Sequence, residues 1–369
     1  MLVHPPAARD GESAASVTPT VSVIVPARDE EASLRACLES LVAQAGVNFE
    51  VIVVDDGSTD RSSSIAQSFA GVQIISPPPL TPGWSGKNNA VFAGAKVAEG
   101  EWLLFTDADT VHLPGSLARA VQEAKNHGAS LLSYSPAQDL RSFWEKAVMP
   151  VIFAELAAKF HPADVSDPAS SQAAANGQYL LITRSAYNAI GGHEAIASSL
   201  LEDVELAHAV KSSGRKIFFR YGGDAVRTRM YRSFDQLREG WTKNLALLFP
   251  VRLAIMRLAE FLLITGNLLA GFYFLFKGDR ISIYVVASLF VGLYLNLLRR
   301  VSKAHFGWKS GTLALLGLPV FSYLLLRSRG SHRRGSVSWK GRAYGTPASG
   351  RPRHNPKQGR HIGLSHPQS

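Results

Sequence analysis

The distribution of apolar residues along the chain constrains its fold more than any other feature. Residues 251–326 consist mainly of long apolar runs, whereas the sequence before them mixes charged and apolar side chains as a globular domain does. Three apolar stretches approach or exceed the length that a helix needs to cross a bilayer: Leu253 to Phe276, Ile281 to Leu298, and about Ser310 to Leu326. One such stretch could be a buried soluble helix, but three in succession predict attachment to a membrane.

The chain is predicted to have four parts. Residues 1–20 lack the basic and apolar regions of a signal peptide and are interpreted as a disordered leader, so the next part is expected in the cytoplasm. Residues 21–250 are predicted to form a globular α/β domain, and residues 251–326 two or three membrane spans. Residues 327–369 are predicted to be a basic, largely disordered tail.

Charge is concentrated in that tail. Residues 327–369 hold 10 Lys and Arg and no Asp or Glu, while the rest of the chain holds 29 basic and 29 acidic side chains. A basic segment directly after apolar stretches predicts attraction to anionic lipid headgroups. Nucleic acid is not expected as a partner, because the sequence has no zinc-ligand pattern, RNP-type aromatic motif or basic helix. Cys37 is the only cysteine, which excludes an intramolecular disulfide, and it is interpreted as a small core residue.

Short β-branched runs alternate with helical patterns in the first half of the chain. The predicted strands are Val21 to Pro26, Phe49 to Val54, Val72 to Ile75 and Glu101 to Thr106. Residues 30–45 place apolar side chains at helical spacing. Strands that alternate with helices predict a parallel sheet, and ligands bind at the carboxyl ends of the strands in such sheets.

Polar clusters follow three of these strands, at residues 27–31, 55–60 and 107–109. Each cluster has a purely structural alternative, since Asp, Ser and Thr also suit turns and helix N-caps. Asp107 and Asp109 come directly after an apolar strand, where two carboxylates could bridge a hard divalent cation to phosphate oxygens. Oxygen ligands favour Mg²⁺ or Mn²⁺, whereas zinc would favour His or Cys.

Taken together, the motifs Val-Ile-Val-Pro-Ala-Arg-Asp-Glu-Glu, Val-Val-Asp-Asp-Gly-Ser-Thr-Asp and Thr-Asp-Ala-Asp resemble family 2 glycosyltransferases with the GT-A fold. The likeness extends from about Val21 to Asn244. It implies an α/β GT-A nucleotide-diphospho-sugar transferase fold, here followed by carboxy-terminal transmembrane helices. It also implies inverting transfer from a nucleoside diphosphate sugar, with a UDP-sugar expected in preference to a GDP-sugar.

The resemblance assigns roles to five residues. Pro26 and Glu30 are expected to line the nucleotide pocket, and Asp56 to hold the base. Asp107 is expected to hold the sugar of the nucleoside, and Asp109 the metal ion on the diphosphate.

Lys87 is a further candidate for the donor site. It lies in the glycine-rich segment Pro82 to Ala90, which leads into a helical pattern. Flexible backbone, the amides of a helix N-terminus and one lysine suit a diphosphate. The alternative is a solvated surface lysine.

Glu202 and Asp203 open a second helical pattern. They could be acids of the first helical turn, favoured by the helix dipole. Beside the upstream motifs the pair resembles the catalytic Glu-Asp of the family, which implies that Asp203 is the general base. His193 and His208 are alternative bases.

Processive members of the family carry Gln-x-x-Arg-Trp beyond this point, and this sequence departs from that pattern. Residues 227–232 read Arg-Thr-Arg-Met-Tyr-Arg, and residues 239–244 read Glu-Gly-Trp-Thr-Lys-Asn. The departure favours transfer of a single sugar. Arg229 and Trp241 are interpreted either as closing over the diphosphate and acceptor or as packing residues.

Residues 337–344 read Val-Ser-Trp-Lys-Gly-Arg-Ala-Tyr and are similar to a motif of family 2 enzymes that glycosylate lipids, including ceramide and carotenoid glycosyltransferase-like members. This implies that the tail returns to the cytoplasmic face near the active site. Three full spans would instead place the basic tail outside, against the positive-inside rule. The predicted acceptor is a membrane lipid, such as a carotenoid, hopanoid or sphingolipid-like molecule. Polyprenyl phosphate as acceptor, and a non-catalytic membrane scaffold, remain alternatives.

Overall fold

The computed structural model describes residues 18–344. The predicted leader up to residue 17 and the end of the tail from residue 345 lie outside this range. The strands of the described chain are β1 Val21–Ala27, β2 Phe49–Asp55, β3 Val72–Ile75, β4 Trp102–Phe105, β5 Thr110–His112, β6 Leu131–Ser135, β7 Ala137–Gln138, β8 Leu180–Thr183, β9 Ile217–Tyr221, β10 Val226–Thr228, β11 Ser338–Trp339 and β12 Arg342–Ala343. All four strands predicted from the first half are present, with ends that differ by at most one residue.

Seven strands form the central sheet in the order β3-β2-β1-β4-β8-β6-β9. The neighbours β3, β2, β1 and β4 are parallel, as β-branched runs between helices predict. The prediction of an all-parallel sheet is wrong in one respect, because β8 pairs antiparallel with both β4 and β6. A reversed strand places its amino end beside the carboxyl ends of its neighbours, and this position matters for the site described below.

Helices cover both faces of this sheet. They are α1 Leu34–Val42, α2 Ser62–Gln67, α3 Gly86–Val97, α4 Ser116–His127, α6 Pro162–Ser166, α7 Arg184–Ala189, α8 Gly192–Ala195 and α9 Glu202–Ser212. Two buried apolar clusters fill the layers, one beneath α1 and α4 and the other beneath α3 and α9. Cys37 is fully buried in the first cluster, which confirms that it is a core residue. The domain is therefore a three-layer α/β/α structure.

A helical region packs beside the sheet domain. Its helices are α5 Phe143–Lys159, α10 Phe234–Leu248, α11 Arg252–Lys277, α12 Arg280–Lys303 and α13 Trp308–Arg333. By length and composition, α11, α12 and most of α13 are each able to cross a membrane. Many large apolar side chains of α11 and α12 are exposed, and an extended exposed apolar surface of this kind is typical of contact with a membrane or a partner.

The third of these helices differs from the other two because much of its apolar stretch is buried in the structure, chiefly against α5 and α10. Helix α13 lies along α5 and α10, and a Cβ at Gly317 would be only 1.9 Å from the carbonyl oxygen of Ala147 on α5. Glycine at this position therefore permits the close approach of the two helices. The predicted disordered tail also differs from the structure at its start, since α13 continues to Arg333 and the hairpin β11–β12 follows.

Four charged side chains join α5 to α11 and α12 within the helical region. Glu155 of α5 lies 2.7 Å from Arg257 of α11 and 3.3 Å from Arg300 of α12, measured between carboxylate oxygen and guanidinium nitrogen. Glu260 lies 2.6 Å from Arg257 and 2.5 Å from Arg300. The charges balance within the cluster, and the side chains are largely buried. Such a cluster holds its members in one arrangement, because a buried charge that loses its partner is strongly unfavourable.

We expect Glu155→Gln to lower the stability of the purified protein by roughly 3 kcal/mol, because it leaves Arg257 and Arg300 with one carboxylate between them. The midpoint of thermal unfolding in detergent measures the effect. Glu39→Gln, an exposed carboxylate on α1, is the matched control and should leave the midpoint within about a degree. Equal midpoints for the two variants would contradict the role of the cluster.

Candidate active site

The polar ends of β1, β2 and β4 meet at one edge of the sheet. Glu30, Asp56, Asp107 and Asp109 follow these three strands, and all four line a single cavity of about 710 Å³ together with Pro26. The carboxyl ends of adjacent parallel strands lie side by side, so residues far apart in sequence become neighbours. The sequence prediction of one convergent polar edge is thus matched by the fold.

The reversed strand β8 brings a different segment to the same edge. Gly177 lies just before β8, and its backbone N–H donates to Oδ2 of Asp203 at 3.0 Å. Asp203 lies in the first turn of α9, where the N–H of Val204 donates to its Oδ1 at 2.8 Å. Both carboxylate oxygens are therefore fixed by backbone donors, and the side chain faces the cavity.

Lys87 connects the two sides of the cavity. It lies in the first turn of α3, whose N-cap Ser85 accepts a hydrogen bond from the N–H of Asn88. The ammonium nitrogen is 2.7 Å from Oδ1 of Asp107 and 2.7 Å from Oε1 of Glu202. Burial acts to lower the pKa of Lys87, but the two carboxylates raise it well above its ordinary value, so the side chain stays charged.

The neighbouring carboxylates Glu202 and Asp203 differ in their affinity for a proton. Burial acts to raise the pKa of Glu202, but Lys87 and Lys243 lower it to about 2. Burial and the adjacent Glu202 raise the pKa of Asp203 to about 6, against the opposing effect of Lys87 and two backbone donors. Two carboxyl groups with separated pKa values are the usual mark of distinct chemical roles.

Asp109 carries a feature that fits a cation. Its Oδ1 is buried and accepts no hydrogen bond from residues 18–344. Burial, Asp107 and Glu30 together raise the pKa of Asp109 to about 8. An unpaired buried carboxylate oxygen beside two further carboxylates lacks a positive partner, which a divalent ion would supply. No group of three or more His, Cys, Asp and Glu side chains able to hold a metal occurs among residues 18–344.

The hairpin β11–β12 enters the cavity from the tail, as the motif at residues 337–344 predicts. Arg342 forms a bidentate ion pair with Asp56, with 2.9 Å between Nη2 and Oδ1. Lys340 lies 2.5 Å from Oε1 of Glu30 and donates to the carbonyl oxygen of Arg28 at 2.7 Å. Part of the predicted disordered tail is therefore a wall of the site.

Trp241 and Arg229, both predicted as site residues, differ in their position relative to the cavity. Trp241 is 3 % exposed, lines the cavity, and donates from Nε1 to the sulfur of Met149, so it both packs and borders the site. The placement of Arg229 at the diphosphate needs correction. Its side chain is outside the cavity lining and is held by Glu145, with 3.0 Å between Nε and Oε1. Glu145 also closes the capping box of α5 with Ser142, which draws Arg229 to the start of that helix.

Sequence reasoning did not assign Lys243 and Asn244 to the site, although it noted the segment that contains them. Both lie on α10 and line the cavity. Burial lowers the pKa of Lys243, and its ammonium nitrogen is 5.6 Å from the ring centre of Trp339. Oδ1 of Asn244 is buried without a hydrogen-bond partner among residues 18–344. Both residues could have been predicted from the sequence, because they follow Trp241 closely on one helix.

The two histidines are unsuitable as the base. His193 is 1 % exposed and its Nδ1 is 2.9 Å from the hydroxyl of Tyr187, and burial lowers the pKa of His193 to about 3. His208 is exposed on α9. Neither residue lines the cavity, so Asp203 is the remaining candidate of the three.

The far side of the cavity is apolar and adjoins the helical region. Its wall comes from α5, the end of α10 and the segment after α12: Phe153, Leu156, Ala157, Phe160, Leu248, Ala304 and Phe306. The carboxylate cluster and this apolar wall therefore share one continuous space.

Comparison with known proteins agrees with these features. Residues 22–183 match the model of Glycosyl transferase family 2. The 4,4'-diaponeurosporenoate glycosyltransferase of Staphylococcus aureus strain USA300 is 27 % identical over 338 residues, which cover 88 % of each chain, and that of strain MRSA252 is 26 % identical over 337 residues, again 88 % of each. The solved mannosyltransferase PcManGT of Pyrobaculum calidifontis, in complex with GDP-Man and Mn²⁺, superposes with a TM-score of 0.51 at 16 % identity, covering 86 % of this chain and 87 % of that one.

The fold is therefore the GT-A fold of nucleotide-sugar transferases, and the protein is a glycosyltransferase. Residues 22–183 are therefore similar to a family 2 glycosyltransferase domain, and three long apolar helices follow this part of the chain.

We expect Asp203→Asn to raise thermal stability above pH 6. Because the pKa of Asp203 is raised to about 6 in the folded protein, its favourable contribution is fully present below about pH 4 and is lost as the pH rises through 6. The ionised carboxyl should then cost about 1–3 kcal/mol, which the amide avoids. The difference between the thermal unfolding midpoints of Asp203→Asn and wild type should grow from pH 4 to pH 6 in favour of the variant. Above pH 6 the difference should stay constant.

Glu194→Gln is the control, since Glu194 is exposed and lies outside the cavity. A constant difference between Asp203→Asn and wild type from pH 4 to pH 8 would show that Asp203 is not held in the environment described above.

Proposed function

We propose that this glycosyltransferase moves a single sugar from a nucleoside diphosphate sugar onto a hydroxyl or carboxyl group of a membrane lipid, with inversion at the anomeric carbon. The observation that carries the proposal is the single cavity, which joins a cluster of carboxylates and basic side chains to an apolar wall beside the helical region. A polar donor and an apolar acceptor need those two surfaces within one space.

On the donor side, Pro26 and Glu30 line the pocket of the nucleoside, whose base is held by Asp56 and whose sugar is held by Asp107. Lys87 faces the diphosphate from the first turn of α3, where backbone amides also favour an anion. The 27 % identical S. aureus relatives and the fold shared with a transferase solved with GDP-Man support a nucleotide donor. A UDP-sugar is expected in preference to a GDP-sugar.

Asp109 is the residue that would hold a Mg²⁺ or Mn²⁺ ion, because its Oδ1 is buried without a partner. Such an ion would neutralise charge that develops on the leaving diphosphate. Lys87 and Lys243 supply positive charge from the chain itself at the same cavity.

On the acceptor side, Asp203 is the general base. Its two oxygens are oriented by the N–H groups of Gly177 and Val204. The carboxylate takes the proton of the acceptor hydroxyl as that oxygen attacks the anomeric carbon, and the bond to the diphosphate breaks. A base with a pKa of about 6 is ionised at neutral pH and is basic enough to accept the proton.

The apolar wall supports a lipid as acceptor, and the S. aureus relatives are named for transfer to 4,4'-diaponeurosporenoate. A polyprenyl phosphate is the alternative acceptor, and its ionised oxygen would make Asp203 dispensable. The convergence of Asp56, Asp107, Asp109 and Asp203 argues against a scaffold without activity.

We expect the detergent-purified protein to add one sugar to a component of a total lipid extract, supplied with UDP- and GDP-sugars and Mn²⁺. Mass spectrometry of the lipids identifies the product. Asp203→Asn should lower kcat by about 10²–10⁴-fold with little change in donor affinity, because it removes the base alone. Wild-type kcat should fall below pH 6, where Asp203 becomes protonated.

Asp109→Ala should abolish the Mn²⁺-dependent transfer of the sugar, because it removes the proposed ligand of the ion, and Glu194→Gln should behave as wild type. Full activity of Asp203→Asn would favour an acceptor that is already ionised. Transfer by neither wild type nor variants, from folded protein, would overturn the proposed reaction.

The helical region is proposed to cross the membrane an even number of times, with the catalytic domain in the cytoplasm. Helix α11 begins directly after α10, which lines the cavity, and the hairpin after α13 lies in the same cavity. Three crossings would separate the two ends of this region. The packing of α13 against α5 and α10 supports α11 and α12 as the two spans. Basic residues cluster at the end of this helical pair nearest the sheet domain, which favours the cytoplasmic side: Arg252, Arg257, Arg299, Arg300 and Lys303.

We expect Lys277→Cys, at the turn between α11 and α12, to react with an impermeant maleimide added to intact cells. Ser336→Cys in the tail and Ser64→Cys in the sheet domain should react only after permeabilisation. The Cys37→Ser background removes the one native cysteine, and it is also the unlabelled control. Labelling of Ser336→Cys from outside would overturn the even count, and protection of Lys277→Cys would indicate a helical pair that does not cross.

A further inference from the structure

The tail hairpin has a backbone conformation that favours a role in the site. Its two turn residues, Lys340 and Gly341, have φ values of +46° and +74°. A two-residue turn of this kind suits a tight hairpin, but the left-handed region is unfavourable for lysine. Unfavourable backbone conformations persist where the surroundings hold them, and they occur often at binding sites. Here the surroundings are Glu30 and the carbonyl oxygen of Arg28, which hold the lysine ammonium.

The second basic side chain of the hairpin fits a space that the sheet domain leaves open. Arg342 reaches Asp56 beside Gly86, where a Cβ would be only 1.9 Å from Nη1 of the arginine. The glycine at the start of α3 therefore leaves room for the guanidinium at the mouth of the donor pocket.

The charges of the cavity explain why these cations are needed. Seven carboxylates and five Lys and Arg side chains line the cavity, and the hairpin supplies two of the five. A nucleoside diphosphate brings at least two further negative charges. With only Arg28, Lys87 and Lys243 present, the field of the site would repel an anionic donor.

The hairpin does not fill the cavity, which as a whole keeps about 710 Å³ while the hairpin is in place. That volume is within the range of ordinary small-molecule sites. The hairpin is also anchored away from the carboxylates. Val337 is 1 % exposed, and Trp339 packs against the buried cluster of the helical region.

We propose that the hairpin at residues 338–343 is a component of the donor site, in which Lys340 and Arg342 pair with Glu30 and Asp56 and thereby allow a nucleoside diphosphate to bind. This inference rests on the proposed function, and it adds two residues from the tail to the donor side. Arg342 also positions Asp56, because the bidentate pair fixes both carboxylate oxygens.

The test is binding of UDP and GDP, each with Mn²⁺, to the full-length protein in detergent by titration calorimetry. Arg342→Ala and Lys340→Ala should each weaken binding about 10-fold, and the double variant about 100-fold. Arg342→Lys should recover part of the loss, since it keeps the charge but not the bidentate pair. Arg334→Ala, an exposed arginine of the same tail outside the cavity, is the matched control and should stay within about twofold of wild type.

Turnover gives a second measure: Arg342→Ala should raise the KM for the donor while leaving the KM for the lipid unchanged. If Arg342→Ala lowers the unfolding midpoint sharply, Arg342→Gln, which retains most of the side-chain volume, takes its place. Unchanged affinity in both single variants would overturn the inference, and tighter binding would show that the hairpin obstructs the site. Wild type that binds neither nucleotide would instead refute the proposed donor.

Discussion

The double ion pair of Lys87 is the interaction on which the arrangement of the site depends. Its ammonium group lies between Asp107, which follows β4, and Glu202, which begins α9. Without a cation at this point, carboxylates from two separate elements would repel each other in a partly buried space. The same cation lowers the pKa of Glu202, and the ionised Glu202 in turn helps to raise the pKa of Asp203. One lysine thus separates the protonation behaviour of two adjacent acids.

The sheet domain and the helical region form one packed body. Helix α5 contributes to the apolar wall of the cavity, contacts α13 at Gly317, and carries Glu155 of the buried charge cluster. A single helix therefore borders both the chemical site and the apolar helices. In the proposed reaction, a lipid would present its reactive group to Asp203 while the rest of it stays beside the helical region. The position of the apolar surface relative to Asp203 is determined by rigid packing, since well-packed helices cannot move independently.

Several features of the site could be predicted from local patterns. The strand residues 21–26, 49–54 and 101–106 are β-branched and apolar, and the polar clusters follow each of them. Parallel strands must present their carboxyl ends at a common edge, so the convergence of Asp56, Asp107 and Asp109 follows from the order of the elements. The antiparallel direction of β8 could not be predicted in this way, because a short apolar run is equally compatible with a parallel and an antiparallel strand. That reversal brings Gly177 to Asp203.

The sequence by itself determined the class of fold, the edge of the sheet that carries the site, and the presence of long apolar helices after it. These depend on periodicity and on strand ends, which are local properties. Only the tertiary structure decided which cation faces which carboxylate. Arg342 meets Asp56 across 286 positions and Lys340 meets Glu30 across 310, whereas Arg229, expected in the site, turns to Glu145 at the start of α5. An ion pair forms wherever the folded chain brings opposite charges into contact. Neither the composition nor the spacing of residues along the sequence predicts which charges meet.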